Sequence, residues 1–387
     1  MPMQIKDRLT LKIESVAFGG QGVGRADGFV IFVPFTAPDD IVEIEIVERK
    51  KKFARGRLLK IIEPSPQRTQ PLCRYYGRCG GCAYQHIRYD QQLKIKKKQI
   101  EEAFLKIGGL LQPQVCEVIP SPHPYAYRGK ATLHAVKTSG GLQFGFMDVS
   151  GGRIVDIERC EIMDETINDQ IRQARTAASV SPGKADLTFW SDHPDRFDET
   201  IVRVVKGREF LVPREGFFQA NLHLTDRMVE EVCRLPGPKK RETIIDACCG
   251  SGLFSIFMAP YAKRMVGVEI NEKSIKYARV NADKHGIGNA EFICGDVEAV
   301  LRDRMQKKDA VDLIILDPPR AGLSPETLTA ISGLDAEDII YISCNPATQA
   351  RDVKFLSGHG YSLRKLQPLD MFAQTEHIET IGLLQRR

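Results

Sequence analysis

No stretch of this 387-residue chain approaches the 18 or so consecutive apolar residues of a membrane span, and residues Met1 to Thr10 carry no signal-peptide core. A soluble, cytosolic protein is expected, with no membrane partner. No internal repeat or low-complexity tract stands out either, so repeat architectures are not expected. Charge of one sign is not in excess: 55 Lys and Arg against 50 Asp and Glu leave +5, too little by itself to imply a polyanionic partner. What is present is ample hydrophobic material, 42% of the chain, and a length that allows two or three domains. Ten cysteines are unevenly placed. Cys116, Cys233 and Cys294 sit singly beside apolar neighbours and read as core residues, whereas grouped cysteines in a cytosolic protein bind metal more often than they form disulfides.

The chain is organised around Thr243 to Glu269, TIIDACCGSGLFSIFMAPYAKRMVGVE, which reads strand, glycine turn at Gly250 and Gly252, helix, strand. The acid Glu269 follows the glycines by about 20 residues, where nucleotide folds place a carboxylate for ribose hydroxyls. The third glycine of a dinucleotide fingerprint is missing, with Ser255 in its place after the bulky Leu253 and Phe254. The pattern therefore suits S-adenosylmethionine, which has no pyrophosphate, better than NAD.

Upstream, short β-rich runs from Arg8 to Ile62 predict a small antiparallel barrel. Its last strands carry Arg49, Lys50, Lys51, Lys52, Arg55, Arg57 and Lys60 around Phe53, a pattern suited to phosphates and stacked bases. A Pro-rich linker, residues 63–71, ends this domain. Cys73, Cys79 and Cys82 follow as C-x5-C-x2-C. Three thiolates so close call for a fourth ligand, and Cys160 is the best candidate. No second close pair exists for a zinc ribbon, so a cluster joining two chain segments is the better reading. Tyr89 to Leu111 predicts a helix whose Lys94, Lys96, Lys97 and Lys98 form a solvated face. Short strands then run to about Pro213, with a helix over Glu161 to Val180.

From Leu222 onward, strands and helices alternate as in a doubly wound sheet, beginning with a helix over Leu222 to Arg234. The last two strands, Ser362 to Leu366 and Glu379 to Leu384, are expected to pair antiparallel at its edge. Polar residues cluster after the strands, where open α/β sheets bind ligands. Asp296 suits an adenine amino group or the cap of the next helix. Asp317 heads a rigid Asp-Pro-Pro turn at the crevice. Cys344 is a thiol at a strand end: added to carbon 6 of a pyrimidine, a thiolate makes carbon 5 nucleophilic toward a methylsulfonium. The adduct must then lose its carbon 5 proton to a base, for which Glu376, His377 and Glu379 are available.

With FFQAN at Phe217 to Asn221, CCGSG, VGVE, LDPPRAGL, YISCNP and FAQTEHIE, the chain resembles the RNA uridine-5-methyltransferase family over nearly its whole length. The resemblance implies a three-part architecture: a TRAM-like RNA-binding β-barrel (residues 1–63), a β-rich central domain with a [4Fe–4S] cluster (64–213) and a Rossmann-like class I methyltransferase domain (214–387). It implies Cys344 as nucleophile and Glu379 as base. It further implies an S-adenosylmethionine site that includes Gln219, Cys248, Glu269 and Asp317, beside Gly250, Gly252 and Asp296, and cluster ligation by Cys73, Cys79, Cys82 and Cys160. Two departures stand out: Cys248 replaces an aromatic found before the glycine turn in many relatives, and FAQT at Phe372 to Thr375 replaces a frequent FPHT. A barrel plus a cluster resembles the large-subunit ribosomal RNA enzymes more than the shorter bacterial tRNA enzymes. Ribosomal RNA is thus the expected substrate of a monomeric enzyme, with tRNA as the alternative. An RNA cytosine-5-methyltransferase and a non-catalytic, cluster-carrying RNA-binding protein are the more distant readings.

Overall fold

Alternation of β-branched and charged residues closes the N-terminal segment into a barrel. The structure, a computed structural model, describes residues 3–26, 28–138, 141–177, 184–192 and 199–387. The strands β1 (Arg8–Val16), β2 (Gly22–Ala26), β3 (Phe29–Val33), β4 (Ile41–Arg49) and β5 (Phe53–Glu63) form a closed sheet in the order β1-β2-β3-β5-β4. On β4, Val42, Ile44 and Ile46 point inward with Ile13, Ile31, Val33 and Ala54, all fully buried. The residues between them face out, so Glu45 lies opposite Arg57 and Glu48 opposite Arg55. Closure leaves no exposed sheet edge.

The chain folds as two compact units. Residues 1–99, 123–191 and 372–377 make the first; residues 100–122, 192–371 and 378–387 make the second. Helix α1 (Tyr89–Lys106) follows the barrel, and its lysines are not one solvated face as expected. Lys96 is fully buried and donates to the carbonyl of Phe372 at 3.1 Å, over the ring of Tyr84. The first unit also holds a four-stranded sheet, β6 (Lys130–Thr138), β7 (Gly141–Met147), β8 (Ile154–Asp156) and β9 (Lys184–Trp190), in the order β8-β7-β6-β9. Helix α2 (Glu165–Ala177) buries Ile167 and Ile171 against Leu133, Ala135 and Phe144. It starts later than predicted because Asp164 turns the chain, its Oδ1 accepting from the backbone of Thr166 at 2.9 Å. The end expected for this helix, residues 178–180, lies outside the described residues.

The second unit begins with the hairpin β10 (Thr200–Val205) and β11 (Arg208–Pro213). The sequence groups this hairpin with the central region, but it packs with the later elements. Asn281 both accepts from the backbone N–H of Leu211 at 2.8 Å and donates to its carbonyl at 2.9 Å. Helix α3 (Thr225–Arg234) starts after Leu224, not at Leu222, because Asn221 Oδ1 holds the backbone N–H groups of His223 and Leu224 in a turn. Then come β12 (Arg241–Ala247), α4 (Leu253–Met258), β13 (Ala262–Glu269), α5 (Glu272–Lys284), β14 (Ala290–Cys294), α6 (Val297–Lys307), β15 (Leu313–Leu316), α7 (Pro325–Gly333), β16 (Asp338–Ser343), α8 (Pro346–Gly358), β17 (Tyr361–Leu369) and β18 (Glu379–Arg386). The sheet order is β14-β13-β12-β15-β16-β18-β17. Pairs among β12 to β16 are parallel, and β18 runs antiparallel to both β16 and β17, placing the predicted pair at the edge. Covered on both faces, β15 (LIIL) and the IIYI centre of β16 are apolar runs, and every residue of both strands is buried, Asp338 at the start of β16 paired with Arg241. Cys294, read as a core residue, is exposed at the end of β14. Among the described residues no helix is long and apolar enough to cross a membrane.

Candidate active site

The sheet order reverses between β12 and β15, which opens a crevice beyond their carboxyl ends. Cys248 follows β12 there and Asp317 follows β15. On the other side of β15, β16 ends at Ser343 and hands the chain to Cys344. Because β18 is antiparallel, it begins at this same end of the sheet. The register pairs Ser343 with Thr380, so one step outward sets Cys344 against Glu379. The two are close enough for the Glu379 carboxyl to raise the Cys344 thiol. Thr380 fixes this end: its hydroxyl donates to Gln349 Oε1 at 2.6 Å and lies 3.2 Å from the Ser343 carbonyl.

The charges at this point are compressed. Glu379 is buried, and desolvation followed by repulsion from Asp317 holds its carboxyl well above the ordinary range. Burial pushes Asp317 up to about 7, with repulsion from Asp246 adding to it and the hydrogen bond from Gln219 opposing it. That bond runs from Gln219 Nε2 to Asp317 Oδ2 at 3.2 Å. Cys344 is half-buried, and desolvation with the acids Glu379 and Asp317 pushes its thiol up to about 11, while Arg320 pulls the other way. A thiol raised this far is largely protonated near neutral pH.

The glycine turn lies at the other side of the crevice. Cys248 takes a left-handed backbone (φ 67°), as do Gly250 (53°) and Gly252 (86°), and a side chain added at Gly250 would meet nothing within 4 Å. This turn aims Gly250 N–H at Glu269 Oε2, 3.2 Å away, while the N–H of Asn271 reaches Oε1 at 2.8 Å. Both oxygens of Glu269 are thereby oriented, with lone pairs left for a ligand. Asp296 is exposed and caps α6, accepting from the backbone of Ala299 at 2.9 Å through Oδ1; Oδ2 is what remains for a ligand. Sequence reasoning passed over Asp246. It is fully buried, accepts from Ser255 Oγ at 2.6 Å through Oδ2, and keeps Oδ1 buried without a partner. Burial pushes it up to about 7. The signal was available, since an acid inside an apolar strand is costly unless it has work to do.

In the first unit, Cys73, Cys79, Cys82 and Cys160 line a single cavity of about 210 Å³, together with Tyr75, Arg128 and the stretch Thr375, Glu376, His377. None of the four is in a disulfide. Burial pushes Cys160 up to about 12 and raises the other three thiols as well. They ring the cavity instead of converging on one point: among the described residues no group of three or more His, Cys, Asp or Glu side chains is arranged to hold a single metal ion. Arg74 and Arg88, beside this motif, are exposed and paired with Glu158 and Asp90 at 3.3 and 3.2 Å.

Comparison with known proteins bears on both units. The profile of the tRNA (Uracil-5-)-methyltransferase family matches residues 193–387, and that of the TRAM domain matches residues 4–59. A Gloeobacter violaceus protein described as an uncharacterized RNA methyltransferase is 32% identical, covering 98% of this chain and 96% of its own length. One of the same description from Clostridium acetobutylicum is 29% identical over 100% of this chain and 98% of its own. Among solved structures, the Pyrococcus abyssi tRNA (uracil-54, C5)-methyltransferase in complex with S-adenosyl-L-homocysteine matches with a TM-score of 0.73 at 25% identity, covering 97% of this chain and 100% of that one.

Proposed function

Because this chain belongs to the tRNA (uracil-5-)-methyltransferase family and is an S-adenosylmethionine-dependent RNA methyltransferase acting on uracil carbon 5, we propose that Cys344 and Glu379 carry the reaction on a uridine of ribosomal RNA in the cytoplasm. The observation that carries this reading is the register of β16 and β18, which sets a thiol against a buried carboxyl beside Asp317. The Cys344 thiolate adds to carbon 6, and the electron pair of the 5,6 double bond becomes available at carbon 5. Carbon 5 takes the methyl group of the sulfonium, whose sulfur keeps the bonding pair and leaves as S-adenosylhomocysteine. Glu379 then accepts the carbon 5 proton, the double bond re-forms, and the Cys344 thiolate is expelled. One methyl group is gained and one proton is released. Gln219 and Asp317, joined by a 3.2 Å hydrogen bond at the crevice, belong to the lining of the proposed S-adenosylmethionine site.

The residues around the glycine turn fit S-adenosylmethionine. Glu269 suits the ribose, the open space at Gly250 lets the donor approach the backbone, and the unpartnered Oδ1 of Asp246 suits an ammonium. Gly252, Cys248 and the free oxygen of Asp296 complete the proposed lining. The cysteine cavity fits a [4Fe–4S] cluster held by Cys73, Cys79, Cys82 and Cys160: four half-buried thiols with raised pKa around one space become thiolates only beside strong positive charge, and the Gly81 N–H already points at Cys79 Sγ, 3.4 Å away. When bound, the cluster would offset part of the charge of these thiolates and would tie residues 73–82 to Cys160.

The ribosomal reading rests on the barrel and the cysteine set. A second reading, methylation of tRNA, is supported by the likeness to the Pyrococcus abyssi tRNA enzyme. Mapping 5-methyluridine in total RNA from a deletion strain decides between them. Chemistry is tested separately. Cys344→Ala should abolish methyl transfer and covalent attachment together. Glu379→Gln should leave a methyl-labelled enzyme–RNA adduct that survives denaturing electrophoresis and disappears when Cys344 is also replaced. Parent-rate turnover by Glu379→Gln would refute the base assignment.

A further inference from the structure

Residues 372–377 belong to the first unit, whereas Met371 before them and Ile378 after them belong to the second. The chain therefore leaves the second unit for six residues and returns at Ile378, immediately before Glu379. The excursion is tightly held. Its Phe372 carbonyl accepts from Lys96 Nζ at 3.1 Å and from Thr375 Oγ1 at 2.8 Å, and its Ala373 carbonyl accepts from Tyr127 Oη at 2.9 Å. Gln374 is held most completely. Its carbonyl accepts from the backbone N–H groups of Ala83 and Tyr84, at 3.1 and 3.0 Å. Its side-chain Oε1 accepts from Gln92 Nε2 at 2.9 Å, and its backbone N–H donates to Gln92 Oε1 at 3.3 Å. Gln374 is 2% exposed and left-handed (φ 68°), a conformation a non-glycine residue keeps only where its surroundings over-determine it. Ala83 and Tyr84 directly follow Cys82, and Thr375, Glu376 and His377 line the cavity of the four cysteines.

We infer that Gln374 is a positioning residue for Glu379, clasping the chain ahead of the catalytic carboxyl to the wall of the cysteine cavity. The inference rests on the reading of Glu379 as the base. Gln374 touches no reacting atom; it fixes where the chain re-enters β18. Methyl transfer depends on Cys344 and the donor, so it is insensitive to the clasp. Proton abstraction depends on the carboxyl standing at carbon 5, and a misplacement of about 1 Å costs on the order of 100-fold. Loosening the clasp therefore slows the second half of the reaction and leaves the first half intact.

The test uses the full-length, anaerobically purified protein and a uridine-containing RNA that the parent enzyme methylates. Gln374→Met and Gln92→Met remove the side-chain amides at nearly unchanged length, and Glu379→Gln runs alongside. Three quantities are read: the single-turnover rate of methyl transfer, the fraction of methyl label in the denaturation-stable adduct, and the visible absorption of the protein. Expected for each single variant are a near-parent first turnover, a kcat reduced about tenfold or more, a rise in labelled adduct and an unchanged spectrum. The double variant should be no worse than Gln92→Met alone, which already removes both bonds between the two residues together with the Gln92 bonds to the carbonyls of Tyr84 and Ile87. Parent-like partitioning in both single variants overturns the inference, as does parallel loss of methyl transfer and adduct. If Glu379→Gln traps adduct and Gln374→Met does not, the positioning role alone has failed. If Glu379→Gln traps none, the base assignment has failed and the positioning role falls with it.

Discussion

Gln219 and Asp317, 98 positions apart in the chain, meet through a 3.2 Å hydrogen bond from Nε2 to Oδ2 at the crevice of the sheet. The bond stabilises the charged form of an acid that its surroundings push toward the neutral form, Asp246 among them. Asp246 is fully buried and Asp317 half-buried, and both are raised from ordinary values near 3.8 to about 7, chiefly by desolvation, with Asp246 adding repulsion on Asp317.

That coupling predicts a pH-dependent stability. The folded state binds these protons more tightly than the unfolded chain, so the pair's contribution is fully present below about pH 4 and is lost as pH rises to about 7. Asp246→Asn removes one titrating group and the repulsion it exerts on the other. Relative to the parent, it should gain roughly 2–4 kcal/mol between pH 4 and pH 7.5. Denaturant unfolding at both pH values measures this. Parallel behaviour of parent and variant would show that the pair does not titrate in this window.

The barrel's basic strip divides into paired and unscreened members. Arg57 contacts Glu45 at 2.7 Å, and Glu48 lies 2.8 Å from Lys50 and 3.3 Å from Arg55, whereas Lys51 and Lys52 stand exposed at the β4–β5 turn. If this turn binds RNA, replacing Lys51 and Lys52 with Ala should flatten the slope of log K against log salt by about 1.4 for single-stranded RNA. Arg57→Ala should change it by less than half of one such step, because Glu45 already neutralises that cation. An unchanged slope in the lysine variant would leave these residues as a solvated turn.

The cysteine cavity predicts a metal content. Anaerobically purified protein should carry about four irons per chain with brown absorption. Cys82→Ser should lose both, while Cys116→Ser, away from the cavity, should keep them. Stoichiometric zinc without iron would overturn the cluster reading.

Local pattern made much of this legible. The alternation in IVEIEIVE specified a half-buried barrel strand, the apolar runs LIIL and IIYI specified strands of the later sheet, and the glycine turn marked the ligand end of that sheet. Each depends on residues within one element, which is why sequence alone determined the barrel, the class of the second unit and the identity of Cys344 and Glu379 as candidates. Lys96 was read as solvated because helical charge runs usually are, and only the Phe372 carbonyl and the Tyr84 ring, far away or across a turn in sequence, make it a buried residue. The cap on α6 and the placement of the β10–β11 hairpin likewise depend on geometry that periodicity does not encode. Sequence left three candidates for the base near the C-terminus, and resemblance chose among them. Tertiary structure brings Glu379 opposite Cys344 and turns Glu376 and His377 to the cysteine cavity, because strand order and register are set by packing between segments that the chain itself keeps far apart.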